Sequence, residues 1–296
     1  MKIDLYLLAG FLGSGKTSTL RHILSNMDDP QGTMIVVNEA GNLGLDGRLV
    51  ERYGLPVQEL SNGCICCSLA VDLIGLFKNI IASGRPPARI LMEASGLANP
   101  AKLRQIIDDF KSSLGVVKTV VLLDANVWEA REMMGSFFSN QLSVADLLLF
   151  NKIDLYSEEQ ARSMLNEILA ELPGVLVRPT VHGRIDPETF WAAPKFSSKI
   201  PFVSDDSGLA SFDTFTYKSS RPMSEKGFET FIENYGSNFA RIKGQVLLSS
   251  GLAYFDYVRG HSGWQPPLDG LEETLLVFIG QDIDQTMLNS ELERLA

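Results

Sequence analysis

Gly10-Phe11-Leu12-Gly13-Ser14-Gly15-Lys16-Thr17 fits the pattern G-x-x-x-x-G-K-[S/T]. It stands between a short apolar run, Ile3–Ala9, and an amphipathic stretch, Thr17–Ser25. Strand, glycine-rich turn and helix in that order make a phosphate loop. The glycines let the backbone curl so that its N–H groups converge on phosphate oxygens, and the helix N-terminus adds positive potential. On this reading Gly13, Ser14, Gly15, Lys16, Thr17 and Ser18 hold the nucleotide phosphates. Lys16 bridges the β- and γ-phosphates, and the Thr17 hydroxyl binds Mg²⁺.

Outward from that loop, apolar runs at Ile3–Ala9, Met34–Asn38, Arg89–Glu93, Thr119–Asp124, Asp146–Asn151 and Val175–Pro179 alternate with other stretches. Thr17–Ser25, Leu69–Ala82 and Glu158–Glu171 among these are amphipathic. Near-continuous apolar strands separated by helices predict a parallel sheet covered on both faces. The fold class is therefore α/β, a P-loop NTPase domain with a mostly parallel sheet over residues 1–196. Residues 197–208, with Pro201 and Asp205-Asp206-Ser207-Gly208, read as a linker. Residues 209–296 predict a smaller C-terminal α+β domain. It has a strand at Phe212–Tyr217, a helix at Ser224–Tyr235, and strands at Arg241–Leu248, Ala253–Arg259 and Thr274–Gly280. A last helix is capped near Asp284.

Two further motifs refine the nucleotide. Asn151-Lys152-Ile153-Asp154 ends one of the apolar runs. An Asp154 carboxylate accepts two hydrogen bonds from the N1–H and 2-amino edge of guanine, and adenine lacks that donor pair. Thr180-Val181-His182 follows a later strand, where a loop would close over the base. Glu93-Ala94-Ser95-Gly96-Leu97-Ala98-Asn99-Pro100 ends another run. Glu93 there holds Mg²⁺ directly or through water, and the Gly96 backbone N–H senses the γ-phosphate. Ser95 or Asn99 is also placed to cap a helix starting at Pro100. Lys16 and Glu93 are the expected catalytic pair. No glutamine follows Gly96 and no internal arginine finger is visible, so GTP hydrolysis should be slow.

All three cysteines, Cys64, Cys66 and Cys67, lie within four positions. Thiolates suit Zn²⁺, Co²⁺ and Cu⁺. A closed structural zinc site needs four ligands, so this cluster is exchangeable or completed by another group. Glu39 is the best candidate to complete it. His22, His182 and His261 are scattered and read as structural or solvent-exposed.

The formal net charge of -10 and pI of about 4.9 argue against a nucleic-acid partner. No apolar stretch approaches the roughly 20 residues a membrane span needs. The opening run leads directly into Gly10, so a buried strand is expected rather than a signal peptide. Reduced cysteines and a cytoplasmic location follow.

Taken together and in this order, the motifs resemble those of the CobW-type metal-handling GTPases, relatives of the urease and hydrogenase nickel-insertion GTPases. The resemblance rests on Gly10–Thr17, Asn38-Glu39-Ala40-Gly41 with Gly44-Leu45-Asp46, Gly63–Cys67, Glu93–Pro100 and Asn151–Asp154. Arg241-Ile242-Lys243-Gly244 and Val277-Phe278-Ile279-Gly280 match as well. It implies a GTP/GDP- and Mg²⁺-binding protein that holds Zn²⁺ or Co²⁺ at the cysteine motif. Metal passes to a client protein, or to cobalamin-type cofactor synthesis, under GTP control. It further implies that Asp46 joins Thr17 and Glu93 in the response to Mg²⁺. Two departures stand out: Asn42 replaces an acidic residue common after the glycine at Gly41, and there is no histidine-rich stretch. Three other readings stay open: a metal store or sensor, a regulatory GTPase with inert cysteines, and a small-molecule kinase.

Overall fold

The computed structural model describes residues 2–11, 13–37, 55–59, 68–96, 98–129, 131–195, 200, 212–258, 261–267, 272–281 and 283–296. Cys64, Cys66, Cys67, Glu39, Asn42 and Asp46 lie outside the described residues, as does the expected linker except for Ile200. The chain forms two compact units.

The first unit is built on strands β1 (Ile3–Gly10), β2 (Thr33–Val37), β3 (Val57–Glu59), β4 (Arg89–Glu93), β5 (Leu114–Asp124), β6 (Leu147–Asn151) and β7 (Leu176–Pro179). They form one seven-stranded sheet in the order β3-β2-β4-β1-β5-β6-β7, and every pairing is parallel. The helices are α1 (Lys16–Ser25), α2 (Ser68–Ala82), α3 (Pro100–Asp108), α4 (Ala125–Glu129), α5 (Arg131–Leu142), α6 (Glu158–Glu171) and α7 (Pro187–Trp191).

β1 shows why the sheet is covered on both sides. Successive side chains of a strand point to opposite faces. Leu5 and Leu7 enter one core with Leu73 and Phe77 of α2 and Leu103 and Ile107 of α3. Tyr6 and Leu8 enter the other with Leu20 and Ile23 of α1 and Phe190 of α7. The run Leu5–Ala9, apolar at every position, can only be satisfied this way, and each fully buried aliphatic contributes about 1.5–3 kcal/mol. β5 begins five residues before the expected Thr119, because its leading segment continues the ladder to Ile3 through Leu114.

Lys118 lies inside this sheet, almost fully buried. Its Nζ donates to the carbonyls of Thr189, Phe190 and Ala192 at 2.8, 3.0 and 2.9 Å, closing the C-terminal end of α7. Burial lowers the Lys118 pKa, and Asp146 opposes that shift. Hydrogen bonds to a charged group are worth about 1.5–3 kcal/mol. Lys118→Met should therefore lower stability by about 2–3 kcal/mol, read as a drop in urea midpoint at constant slope.

The second unit is an antiparallel five-stranded sheet in the order β11-β10-β9-β12-β8. Its strands are β8 (Phe212–Ser219), β9 (Phe239–Leu248), β10 (Gly251–Val258), β11 (His261–Gln265) and β12 (Thr274–Gln281), with helices α8 (Glu225–Tyr235) and α9 (Gln285–Leu295). Phe228 and Phe231 of α8 and Leu288 and Leu292 of α9 share a core with Ile242, Val246, Phe255 and Phe278. Ser224 caps α8 by accepting from the Gly227 N–H, and Asp284 caps α9 by accepting from Met287. No helix among the described residues is long and apolar enough to cross a membrane.

Candidate nucleotide site

The phosphate loop leaves the C-terminal end of β1, the middle strand of the parallel sheet, and opens α1. Two glycines there are required by close approach. A Cβ on Gly10, whose φ is +131°, would stand 2.2 Å from the Leu122 carbonyl oxygen of β5. A Cβ on Gly15, at φ +105°, would stand 2.4 Å from the Asn151 amide nitrogen. The loop is thus pressed against β5 on one side and Asn151 on the other.

Lys16 is buried, and its Nζ donates to the carbonyls of Gly10 at 2.9 Å and Phe11 at 3.0 Å. Its ammonium is held against the first two residues of the loop. The buried Ser14 hydroxyl has no hydrogen-bond partner among the described residues, while Ser18 is exposed. Thr17 Oγ1 donates to Glu93 Oε1 at 2.7 Å, and Glu93 is only 3% exposed. A hydroxyl and a buried carboxylate side by side form a hard-oxygen donor pair of the type Mg²⁺ takes.

β4 delivers Glu93 and then turns. The Ala98 N–H donates to the Ser95 carbonyl at 3.0 Å, a turn that contains the buried Gly96. Asn99, not Ser95, caps α3: its Oδ1 accepts from the N–H groups of Ala101 and Lys102, with Pro100 at the first helical position.

Asn151 joins three segments. Its Nδ2 donates to the Ser14 carbonyl at 2.8 Å, and its Oδ1 accepts from Thr180 Oγ1 at 3.1 Å and from the Gly183 N–H at 2.8 Å. The Asn151–Asp154 segment, the phosphate loop and the loop after β7 are therefore locked together by one buried amide. Lys152 adopts φ +62° and starts the 3-10 turn Ile153–Leu155, in which Asp154 is exposed. Val181 is partly buried and His182, at φ +54°, is exposed.

Two residues of the site carry no signal in the sequence. Asp124, at the end of β5, is buried and pairs with Lys152 Nζ at 3.3 Å. It also accepts from the Val127 N–H. Gln141, near the end of α5, reaches both the loop and the Ala98 turn. Among the described residues, no group of three His, Cys, Asp or Glu side chains is placed to hold a metal ion.

A phosphate loop between the central strand of an all-parallel sheet and its following helix, with a magnesium-type donor pair beside it, defines a P-loop NTPase. The chain belongs to the CobW/HypB/UreG family, whose nucleotide-binding domain matches residues 4–176. Residues 212–296 match the cobalamin synthesis protein cobW C-terminal domain. The chain is similar to the zinc chaperone YjiA of Escherichia coli, 33% identical over 197 residues, covering 62% of this chain and 59% of that protein. It is also similar to the zinc chaperone YeiR of the same organism, 29% identical over 166 residues, covering 53% of this chain and 49% of that protein. The matches thus span about half the length of these curated relatives. Among solved structures, Zn(II)-bound YjiA GTPase from E. coli aligns at 21% identity and a TM-score of 0.43, over 100% of this chain and 99% of that one.

Proposed function

We propose that the chain is a GTP-hydrolysing metallochaperone. The observation that carries the nucleotide half is the Asn151 amide, which holds the Asn151–Asp154 motif beside the phosphate loop. In this reading Asp154 recognises guanine, and Thr180, Val181 and His182 border the base. Gly13 to Ser18 bind the phosphates. Lys16 stabilises the charge developing on the γ-phosphate. Thr17, Glu93 and Asp46 bind Mg²⁺ or its waters, and Gly96 senses the γ-phosphate. Unassisted hydrolysis runs at roughly 10⁻⁴ to 10⁻² per second.

The metal half rests on Cys64-Ile65-Cys66-Cys67 in the sequence and on relatives named zinc chaperones. Cys64, Cys66 and Cys67, completed by Glu39, hold Zn²⁺ or Co²⁺. GTP and Mg²⁺ order the segments carrying these ligands, and hydrolysis loosens them and releases the metal to a client protein or to cobalamin-type synthesis. The protein acts in the cytoplasm, with residues 1–196 as the GTPase domain, 197–208 as linker and 209–296 as the second domain. A ten- to hundred-fold difference in metal affinity between nucleotide states requires only about 1.4–2.7 kcal/mol of coupling.

The double substitution Cys66→Ser/Cys67→Ser separates the two halves. Tight metal binding is expected to disappear while GTP affinity, measured by equilibrium dialysis, stays at the wild-type value. Loss of both together contradicts separate sites.

A further inference from the structure

Gln141 sits on α5 in a stretch with no nucleotide-binding motif, yet its buried amide spans the phosphate loop and the turn that holds Gly96. Its Oε1 accepts from the Gly10 N–H at 3.1 Å, and its Nε2 donates to the Ala98 carbonyl at 2.9 Å. A backbone N–H can only donate and a carbonyl can only accept, so this orientation of the amide is the one that satisfies both.

Both contacts fall at critical points. Gly10 is the first residue of the phosphate loop; its N–H is held by Gln141 and its carbonyl accepts from Lys16 Nζ. The Gly10 peptide cannot drift sideways, because it lies against Leu122 with no room for a Cβ. The Ala98 carbonyl belongs to the turn closed by the Ala98 N–H to Ser95 carbonyl bond, and that turn contains Gly96. The amide therefore ties the Gly96 turn to the peptide on which Lys16 rests. Buried hydrogen-bonded amides of this kind act as rigid spacers, since breaking one bond leaves a desolvated group without a partner.

We infer that Gln141 is the positioning residue that sets the Gly96 turn at its distance from the phosphate loop, so that a γ-phosphate engages both at once. GDP, which lacks that phosphate, does not engage the Gly96 turn. The inference rests on the GTP reading of the site.

The test compares affinities for GDP and for a β,γ-imido analogue of GTP, each with Mg²⁺, in the full chain and in Gln141→Glu and Gln141→Met. At pH 8 the glutamate keeps an acceptor for the Gly10 N–H and loses the donor to Ala98. Its affinity for the analogue should fall about ten-fold further than its affinity for GDP. Gln141→Met, similar in volume, loses both bonds; it should show at least the same fall in the analogue-to-GDP ratio, with GDP weakened as well. Thermal unfolding is followed in parallel, and the methionine variant carries the test if the glutamate variant does not fold. A ratio equal to wild type in the folded variants overturns the inference. So does an equal weakening of both nucleotides in both variants, which is the mark of a merely structural amide. A wild-type chain that binds neither guanine nucleotide overturns instead the GTP reading on which the inference stands.

Discussion

Lys16→Ala is expected to lower GTP affinity about 10²- to 10³-fold, with hydrolysis falling at least as far. The estimate follows from the bonds lost. An ammonium bridging two phosphates makes two charge-assisted hydrogen bonds, each worth about 1.5–3 kcal/mol. Part of that gain is offset, because Lys16 already donates to the Gly10 and Phe11 carbonyls and must leave at least one of them. The net loss is therefore set at the lower end, about 3–4 kcal/mol. Isothermal titration with GTP and Mg²⁺ checks it, with the unfolding midpoint as a control. Since Lys16 is buried on the loop, a stability change of more than about 1 kcal/mol would be worth separating from the binding effect. A folded variant that binds GTP as tightly as wild type removes Lys16 from the phosphate site.

Asp154→Ala should have an effect of comparable size and of a different kind. The carboxylate is exposed on the turn begun by Lys152, where it can face the N1–H and 2-amino group of guanine. Two hydrogen bonds to a charged acceptor again amount to about 3–4 kcal/mol, so GTP affinity should fall about 10²- to 10³-fold. ATP offers no such donor pair, so its weak binding should not change. The experiment reads the GTP-to-ATP ratio, which collapses if Asp154 reads the base. A wild-type preference for ATP, or an unchanged ratio in the variant, sinks the guanine reading and revives a small-molecule kinase.

How far the sequence could be read depended on how local the physics is. The phosphate loop is legible because it demands glycine at fixed spacings. The sheet supplies the reason: Gly10 is pressed onto Leu122 and Gly15 onto Asn151. Leu5–Ala9 of β1, Ile90–Met92 of β4 and Leu147–Phe150 of β6 are unbroken apolar runs because both faces of the sheet are buried. α6 is marked by a capping box, Ser157 with Gln160. By contrast, β11, His261-Ser262-Gly263-Trp264-Gln265, has little apolar alternation and, among the described residues, pairs with β10 at the end of its sheet, so nothing local marked it. α5 has no strongly apolar stripe, and its Gln141 gains meaning only when folding brings Gly10 and Ala98 to it, 131 and 43 residues away in sequence. Asp124 is similar: a lone aspartate after an apolar run, paired with Lys152 only once β5 and β6 lie side by side.

The central claim is that nucleotide state controls metal binding at Cys64, Cys66 and Cys67. It is tested most directly by titrating Co²⁺ anaerobically into the reduced chain, with and without GTP and Mg²⁺, while following thiolate-to-cobalt charge-transfer and ligand-field absorption. The account predicts tetrahedral thiolate bands that appear or tighten about ten- to a hundred-fold with GTP. Equal cobalt affinity in both nucleotide states contradicts nucleotide gating, and the absence of thiolate bands in either state contradicts the metal site itself.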